Sequence, residues 1–215
     1  MLKDKFVFVS QFFQRQKEVG ALIPSSDFLA NKLAEIILPH SHPLEVMEVG
    51  PGTGSTTEAI CRRMGKDDHL TLVEANASFC KVLEKRVARW RRGRPDFPRV
   101  TIFNGYLQDF RSDIRFDHIL CGLPLNNFPM KLVTELFAQF KLLSKEEGCF
   151  SYFEYMGVRK WNAILMAGER RQRFHELNDY LTREIHPYVY MQEKIWLNLF
   201  PAVIWHLYFH QKRQA

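Results

Sequence analysis

From residue 44 to residue 155, short unbroken apolar runs alternate with longer stretches in which apolar residues recur at every third or fourth position. The short runs predict buried strands and the longer stretches predict helices. Strands are expected at Leu44 to Val49, His69 to Glu74, Val100 to Phe103, Phe116 to Cys121 and Cys149 to Tyr155, with helices over Thr53 to Met64, Ala77 to about Arg91 and Lys131 to Leu143. Upstream, Asp27 to Leu38 reads as a helix capped by Ser25, Ser26 or Asp27 and ended by Pro39. Downstream, a polar helical region from Arg159 to Arg183 precedes two strand-like runs between Glu193 and Phe209, joined around Pro201, where proline ends a strand without costing a ladder bond. The alternation predicts an α/β fold: a seven-stranded, mostly parallel sheet with a closing antiparallel hairpin, helices on both faces, and ligands held at the carboxyl ends of the strands.

At the amino terminus the period is again helical. Leu2, Phe6, Val9 and Phe13 form one stripe, with Phe12 beside it and Lys5 and Lys17 flanking it. Such a helix suits a membrane interface, its aromatic face entering the acyl boundary and its cations meeting anionic headgroups; a helix packed on the core shows the same stripe, and periodicity does not separate the two.

The first predicted strand runs into Glu48-Val49-Gly50-Pro51-Gly52-Thr53-Gly54. Glycines there let the backbone turn sharply and approach a ligand, and Thr53, Ser55 or Thr56 can cap the helix that follows, whose positive end would face a polar or anionic group. A phosphate-cradling loop needs GxxxxGK before Ser or Thr, and a dinucleotide turn needs GxGxxG; neither is present. The form that fits is E/DxGxGxG, which resembles motif I of the class I S-adenosylmethionine-dependent methyltransferases. Glu74, twenty residues after Gly54, ends the second predicted strand, where a carboxylate accepts two ribose hydroxyls. In many enzymes of that class a Gly-Asp pair after the third strand binds the adenine amino group; here the segment reads Asn104-Gly105-Tyr106, so backbone groups with Asn104 or Tyr106 are expected to replace it, unless Asp109 swings back.

Composition narrows the partners. The 215 residues are 46% hydrophobic, enough for one sizeable core, and neither repeats nor linkers divide them, so a single domain over 1–215 is expected. Cys61, Cys80, Cys121 and Cys149 are widely spaced, as reduced core residues of a cytosolic protein are, and form no zinc pattern. No apolar run reaches the roughly 18 residues that span a bilayer. A net charge of +6 and a pI near 9.2 favour an anionic partner, lipid surface or nucleic acid. The cations Lys85, Arg86, Arg89, Arg91, Arg92 and Arg94 read more readily as charges at a helix carboxyl terminus than as a phosphate site.

Three further motifs narrow the resemblance. Gly20-Ala21-Leu22-Ile23-Pro24-Ser25-Ser26 with Leu29-Ala30, Cys121-Gly122-Leu123-Pro124 after the fourth strand, and Asn198-Leu199-Phe200-Pro201-Ala202 in the hairpin are similar to the GAxxPSS, SGLP and NxPPA segments of the bacterial phospholipid N-methyltransferases. Cys121 and Phe200 are the departures. The resemblance implies S-adenosylmethionine as cofactor, methylation of phosphatidylethanolamine or its methylated forms, and a first helix over residues 2–17 that binds an anionic membrane and covers the site. It implies cofactor contacts at Glu48, Gly50, Gly52, Thr53, Gly54, Glu74, Asn104, Gly105, Tyr106 and Cys121, an acceptor pocket at Gly122, Leu123, Pro124 and Tyr155, and no metal. A cytoplasmic, peripheral monomer is expected. The alternative acceptor is an adenine of RNA or DNA. Nucleic-acid enzymes of this fold place Asn where Gly122 stands and a base-stacking aromatic where Leu125 stands, which makes nucleic acid the weaker expectation. A third reading, a membrane-bound protein that keeps the fold but has lost the cofactor, rests on Asn104-Gly105-Tyr106 alone.

Overall fold

The apolar runs at 45–49, 69–74, 116–121 and 149–155 become strands because both of their faces are covered, which leaves only backbone pairing along their edges, whereas the run at 99–104 forms an exposed edge strand. The computed structural model describes residues 27–156, 169–196 and 201–211. Its strands are β1 (Glu45–Val49), β2 (His69–Glu74), β3 (Arg99–Asn104), β4 (Phe116–Cys121), β5 (Ser144–Tyr155), β6 (Val189–Ile195) and β7 (Ala202–Tyr208). They form one sheet in the order β3-β2-β1-β4-β5-β7-β6, with β7 antiparallel to both of its neighbours and the rest parallel. The order reverses between β1 and β4, the switch point at which open α/β sheets bind their ligands.

The helices are α1 (Asp27–Ala34), α2 (Ser55–Arg63), α3 (Ala77–Arg91), α4 (Met130–Leu143) and α5 (Glu169–Tyr180). Alternation along β1 sends Val46 into the core shared with α1, α2 and α3, and Met47 and Val49 into the core shared with α4. The α4 side is aromatic: Phe137 packs edge-on against Phe140, Phe150, Tyr152 and Phe209 at centroid distances of 5.7–6.5 Å.

Element boundaries differ from the expectations at several ends, for local reasons. Helix α1 stops at Ala34 rather than Leu38, and residues 35–37 continue only as turns. Helix α2 begins at Ser55, and its cap is Gly54 at φ 94° with no side-chain cap bond, so none of Thr53, Ser55 or Thr56 caps it. Strand β5 begins five residues before Cys149, its register with β4 shifting between Phe116 and His118; a Cβ on Gly148 would lie 2.6 Å from the Phe116 carbonyl. Strand β6 starts at Val189, just after a 3-10 turn through Pro187, instead of near Glu193. The amino-terminal helix, the Gly20–Ser26 motif and the Asn198–Phe200 part of the hairpin motif lie outside the described residues. None of the described helices is long and apolar enough to cross a membrane. All four cysteines are free and buried, and burial pushes the thiols of Cys61 and Cys121 up to about 12.

Candidate active site at the strand tips

The tips of β1, β2, β3 and β4 converge because each loop is bonded to its neighbour's last residues. Gly50 N–H donates to the Val73 carbonyl at 2.9 Å, Gly105 N–H to the Glu74 carbonyl at 3.0 Å, and Gly122 N–H to the Val49 carbonyl at 2.8 Å. Together they border a cleft. Its walls are apolar for most of their area, with Val49, Val73, Leu107, Leu123, Phe128 and Leu132 among them, and Glu74, Tyr106 and Gln108 supply its polar side chains. An apolar slot with a carboxylate at one end fits a flat base joined to a ribose.

Glu74 is the hinge of this arrangement. One carboxylate oxygen accepts from Gly52 N–H at 3.0 Å and the other from Asn76 N–H at 2.8 Å, so the acid ties the glycine turn to the start of α3. Each oxygen keeps a lone pair for a ribose hydroxyl. Burial raises the Glu74 carboxyl above its ordinary range, opposed by the backbone bonds from Asn76 and Gly52. Gly52 itself, at φ 58°, has nothing within 4 Å of the position a Cβ would take, whereas a Cβ on Gly50 would meet Leu123 at 2.5 Å and one on Gly54 would meet Leu83 at 2.8 Å. The turn is thus wedged at both ends and open at its middle, the place a ligand can approach. Arg86 fixes the same turn by donating to the Thr53 carbonyl at 2.7 Å, and its guanidinium lies 5.1 Å from the centre of the Trp90 ring. Arg94 likewise donates to the Cys61 carbonyl at 3.2 Å, while Lys85, Arg89 and Arg92 are exposed. Two of the six clustered cations are therefore clamps on the fold.

The predicted site residues do not all reach the cleft. Gly50, Glu74, Gly105, Tyr106 and Leu123 line it; Gly52 is tied to it by its N–H on Glu74, while Thr53 lies off the lining with its carbonyl held by Arg86. Glu48 does not: it is 1% exposed on the α2 side of β1 and accepts a 2.6 Å bond from the Thr57 hydroxyl. Burial raises its carboxyl to about 8, so it fastens α2 beneath the turn as a neutral acid over much of the physiological range. Cys121 points into the α4 core and is fully buried. Asn104 spends its amide donor on the Glu74 and Ala75 carbonyls, at 3.0 and 3.4 Å. Asp109 is exposed and lies off the cleft. Gly122 is set by sterics, since a Cβ there would lie 2.7 Å from the Gly50 carbonyl. Leu123, expected on the acceptor side, packs against Gly50 and lines the cofactor slot. Pro124 leads into a 3-10 turn, and Tyr155 stands at the tip of β5 on the sheet face that carries α1. The sequence reading missed Gln108, Phe128 and Leu132; the apolar period of α4 contained Leu132, but nothing in the pattern said that it faced a ligand.

Residues 46–148 match the family described as a methyltransferase domain. With the sheet order and the glycine turn, the match, which spans just under half of the chain, supports a methyltransferase of the class I, Rossmann-like fold that uses S-adenosylmethionine. Among curated proteins it is similar to the ornithine lipid N-methyltransferase of Singulisphaera acidiphila, 29% identical over 161 residues that span 72% of this chain and 80% of that protein. It also resembles ribosomal RNA small subunit methyltransferase A of a Synechococcus strain, 32% identical over 74 residues, which are 34% of this chain and only 23% of that enzyme. Among solved structures, the N-methyltransferase NodS of Bradyrhizobium japonicum, in complex with S-adenosyl-L-homocysteine, superposes with a TM-score of 0.58 at 12% identity, covering 86% of this chain and 89% of that one.

The cradle makes two predictions. Gly52→Asp introduces a side chain and a negative charge at the open middle of the turn, and Glu74→Ala removes the ribose acceptor together with the bond to Gly52; calorimetry should find S-adenosylhomocysteine binding weakened at least about tenfold in each, the scale of losing a charge-assisted hydrogen bond. Parent-like affinity in either variant would sink the assignment. The second concerns Glu48. Its folded pKa, about 8, lies above the ordinary 4.5, so the folded state holds a proton that the unfolded chain gives up between those values, and that contribution to stability is lost as pH rises through the window. Glu48→Gln keeps the acceptor for Thr57 and loses no proton. In thermal melts its Tm should gain on the parent from pH 5 to pH 8.5 by a few degrees, about 1 kcal/mol being worth about 2–4 °C in a chain of this size.

Proposed function

We propose that this enzyme transfers a methyl group to the headgroup amine of an amino lipid at a membrane surface, with phosphatidylethanolamine or its methylated forms, or an ornithine lipid, as acceptor. The observation that carries the reading is the similarity to a lipid N-methyltransferase along most of both chains. The loop after β4 supports it. Position 122 has no room for the amide that adenine enzymes place there, and Leu125, at the base-stacking position, is buried at 2% exposure in the core. A flipped adenine would find neither its amide acceptor nor its stacking ring. The RNA-methyltransferase likeness covers 23% of that enzyme, and 74 residues is too short to reach beyond shared fold elements.

Bound S-adenosylmethionine supplies an electrophilic methyl group. The chain's part is mostly alignment, which contributes about 7–11 kcal/mol in well-oriented reactions. Glu74 and the Gly50–Gly54 turn fix the donor, and Leu123, wedged against Gly50, links the donor slot to the loop that receives the amine. An ammonium must shed its proton before its lone pair can attack, and removal from water favours that loss by lowering its pKa. Residues 2–17 supply the cover: Phe6, Val9, Phe12 and Phe13 enter the interface while Lys3, Lys5, Arg15 and Lys17 meet anionic headgroups, worth about 1 kcal/mol per cation.

Labelled S-adenosylmethionine incubated with phosphatidylethanolamine vesicles, ornithine-lipid vesicles and total RNA tests the proposal. Label is expected in lipid, and transfer to RNA at a rate above either lipid would overturn it. In parallel, Gln at Lys3, Lys5, Arg15 and Lys17 should weaken cosedimentation with anionic vesicles and flatten its salt dependence.

A further inference from the structure

The cofactor's base has lost its usual partner in this chain, because Tyr106 stands where an acid is expected after β3. The structure leaves few replacements. Asn104 commits its NH₂ to the Glu74 and Ala75 carbonyls and does not line the slot. Asp109 is exposed and does not border the slot. Tyr106 lines the slot, but a phenol raised by burial and by the nearby Asp109 stays neutral and offers a single hydroxyl. That leaves Gln108. It lies in the 3-10 turn Leu107–Asp109, half-buried, and is one of the polar residues that line the slot.

The turn that carries Gln108 is held from both sides. Leu107 is buried in the α4 core, the Asp109 N–H donates to the Tyr106 carbonyl at 2.9 Å, and the Arg111 guanidinium donates to the Gln108 carbonyl at 2.6 Å. The primary amide at the end of the side chain makes no hydrogen bond among the described residues. A primary amide matches the amino edge of adenine in both senses: its oxygen accepts from the 6-amino group while its NH₂ donates to a ring nitrogen, the pairing by which Asn and Gln read adenine in nucleic acids. We propose that Gln108 is the specificity-determining residue for the adenine ring of the cofactor, replacing the absent acid with an amide. The consequence is a base site that carries no charge of its own, in a slot whose one buried carboxylate is kept for the ribose. The proposal concerns the donor and is independent of which amine accepts the methyl group.

The test is a double-mutant cycle on binding, with calorimetric titration of S-adenosylhomocysteine and of its analogue lacking the 6-amino group. The parent is expected to prefer S-adenosylhomocysteine by about tenfold, the size of one net hydrogen bond. Gln108→Leu removes the amide at similar volume and should bind both ligands alike, to within about twofold. Gln108→Glu retains the acceptor and should retain the preference. Gln108→Ala gives the same reading as Leu should the bulkier side chain lower the thermal melt. A preference that survives in both Gln108→Leu and Gln108→Ala, or its absence in the parent, overturns the proposal, because the base would then be read by backbone groups or by Tyr106.

Discussion

The carbonyl of Gly50 and the α-carbon of residue 122 approach so closely that a Cβ at position 122 would lie 2.7 Å from the carbonyl oxygen. Much of the site follows from that contact. It locks the loop after β4 onto the glycine turn after β1, with the Gly122 N–H completing the join at the Val49 carbonyl. Leu123 is thereby pressed against Gly50 and becomes a wall of the cofactor slot. The two loops share a backbone contact instead of facing each other across a flexible gap, and rigid placement of that kind is what catalysis by alignment requires.

Two carboxylates beneath this contact behave differently because their partners differ. Glu48 receives a hydroxyl and is otherwise sealed, so burial dominates and it is held protonated to about pH 8. Glu74 receives two backbone N–H groups, which favour its charged form against burial, and it borders the cleft, where further donors can reach it. The same residue type fastens a helix in one place and waits for a ribose in the other.

The seven-stranded, mostly parallel sheet and the glycine turn were legible because they rest on local rules: unbroken apolar runs, glycine spacing, and an acid at a strand tip. The resemblance of Cys121-Gly122-Leu123-Pro124 to a known loop placed Leu123 in an acceptor pocket, and spacing could not show that its side chain also folds back over Gly50. Glu48 read as a ligand residue for a similar reason. The motif places an acid there, and only the sheet's alternation, which turns it toward Thr57 and α2, shows that it supports the turn from below. Gln108 was invisible as a site residue because its slot is built from four separate loops. The early start of β6 went unread because Pro187 sits just ahead of it, in a 3-10 turn that leads into the strand.

The central claim is that the cofactor lies across the tips of β1, β2 and β3, held between the glycine turn, Glu74 and the turn carrying Gln108. Hydrogen–deuterium exchange with and without S-adenosylhomocysteine tests it most directly. Slower exchange is expected in peptides covering residues 48–56, 73–78 and 104–110, with the β6–β7 hairpin unchanged. Protection confined to the opposite end of the sheet, around the hollow lined by His40, His42 and Tyr190, or protection that spares the 48–56 peptide, would contradict the account.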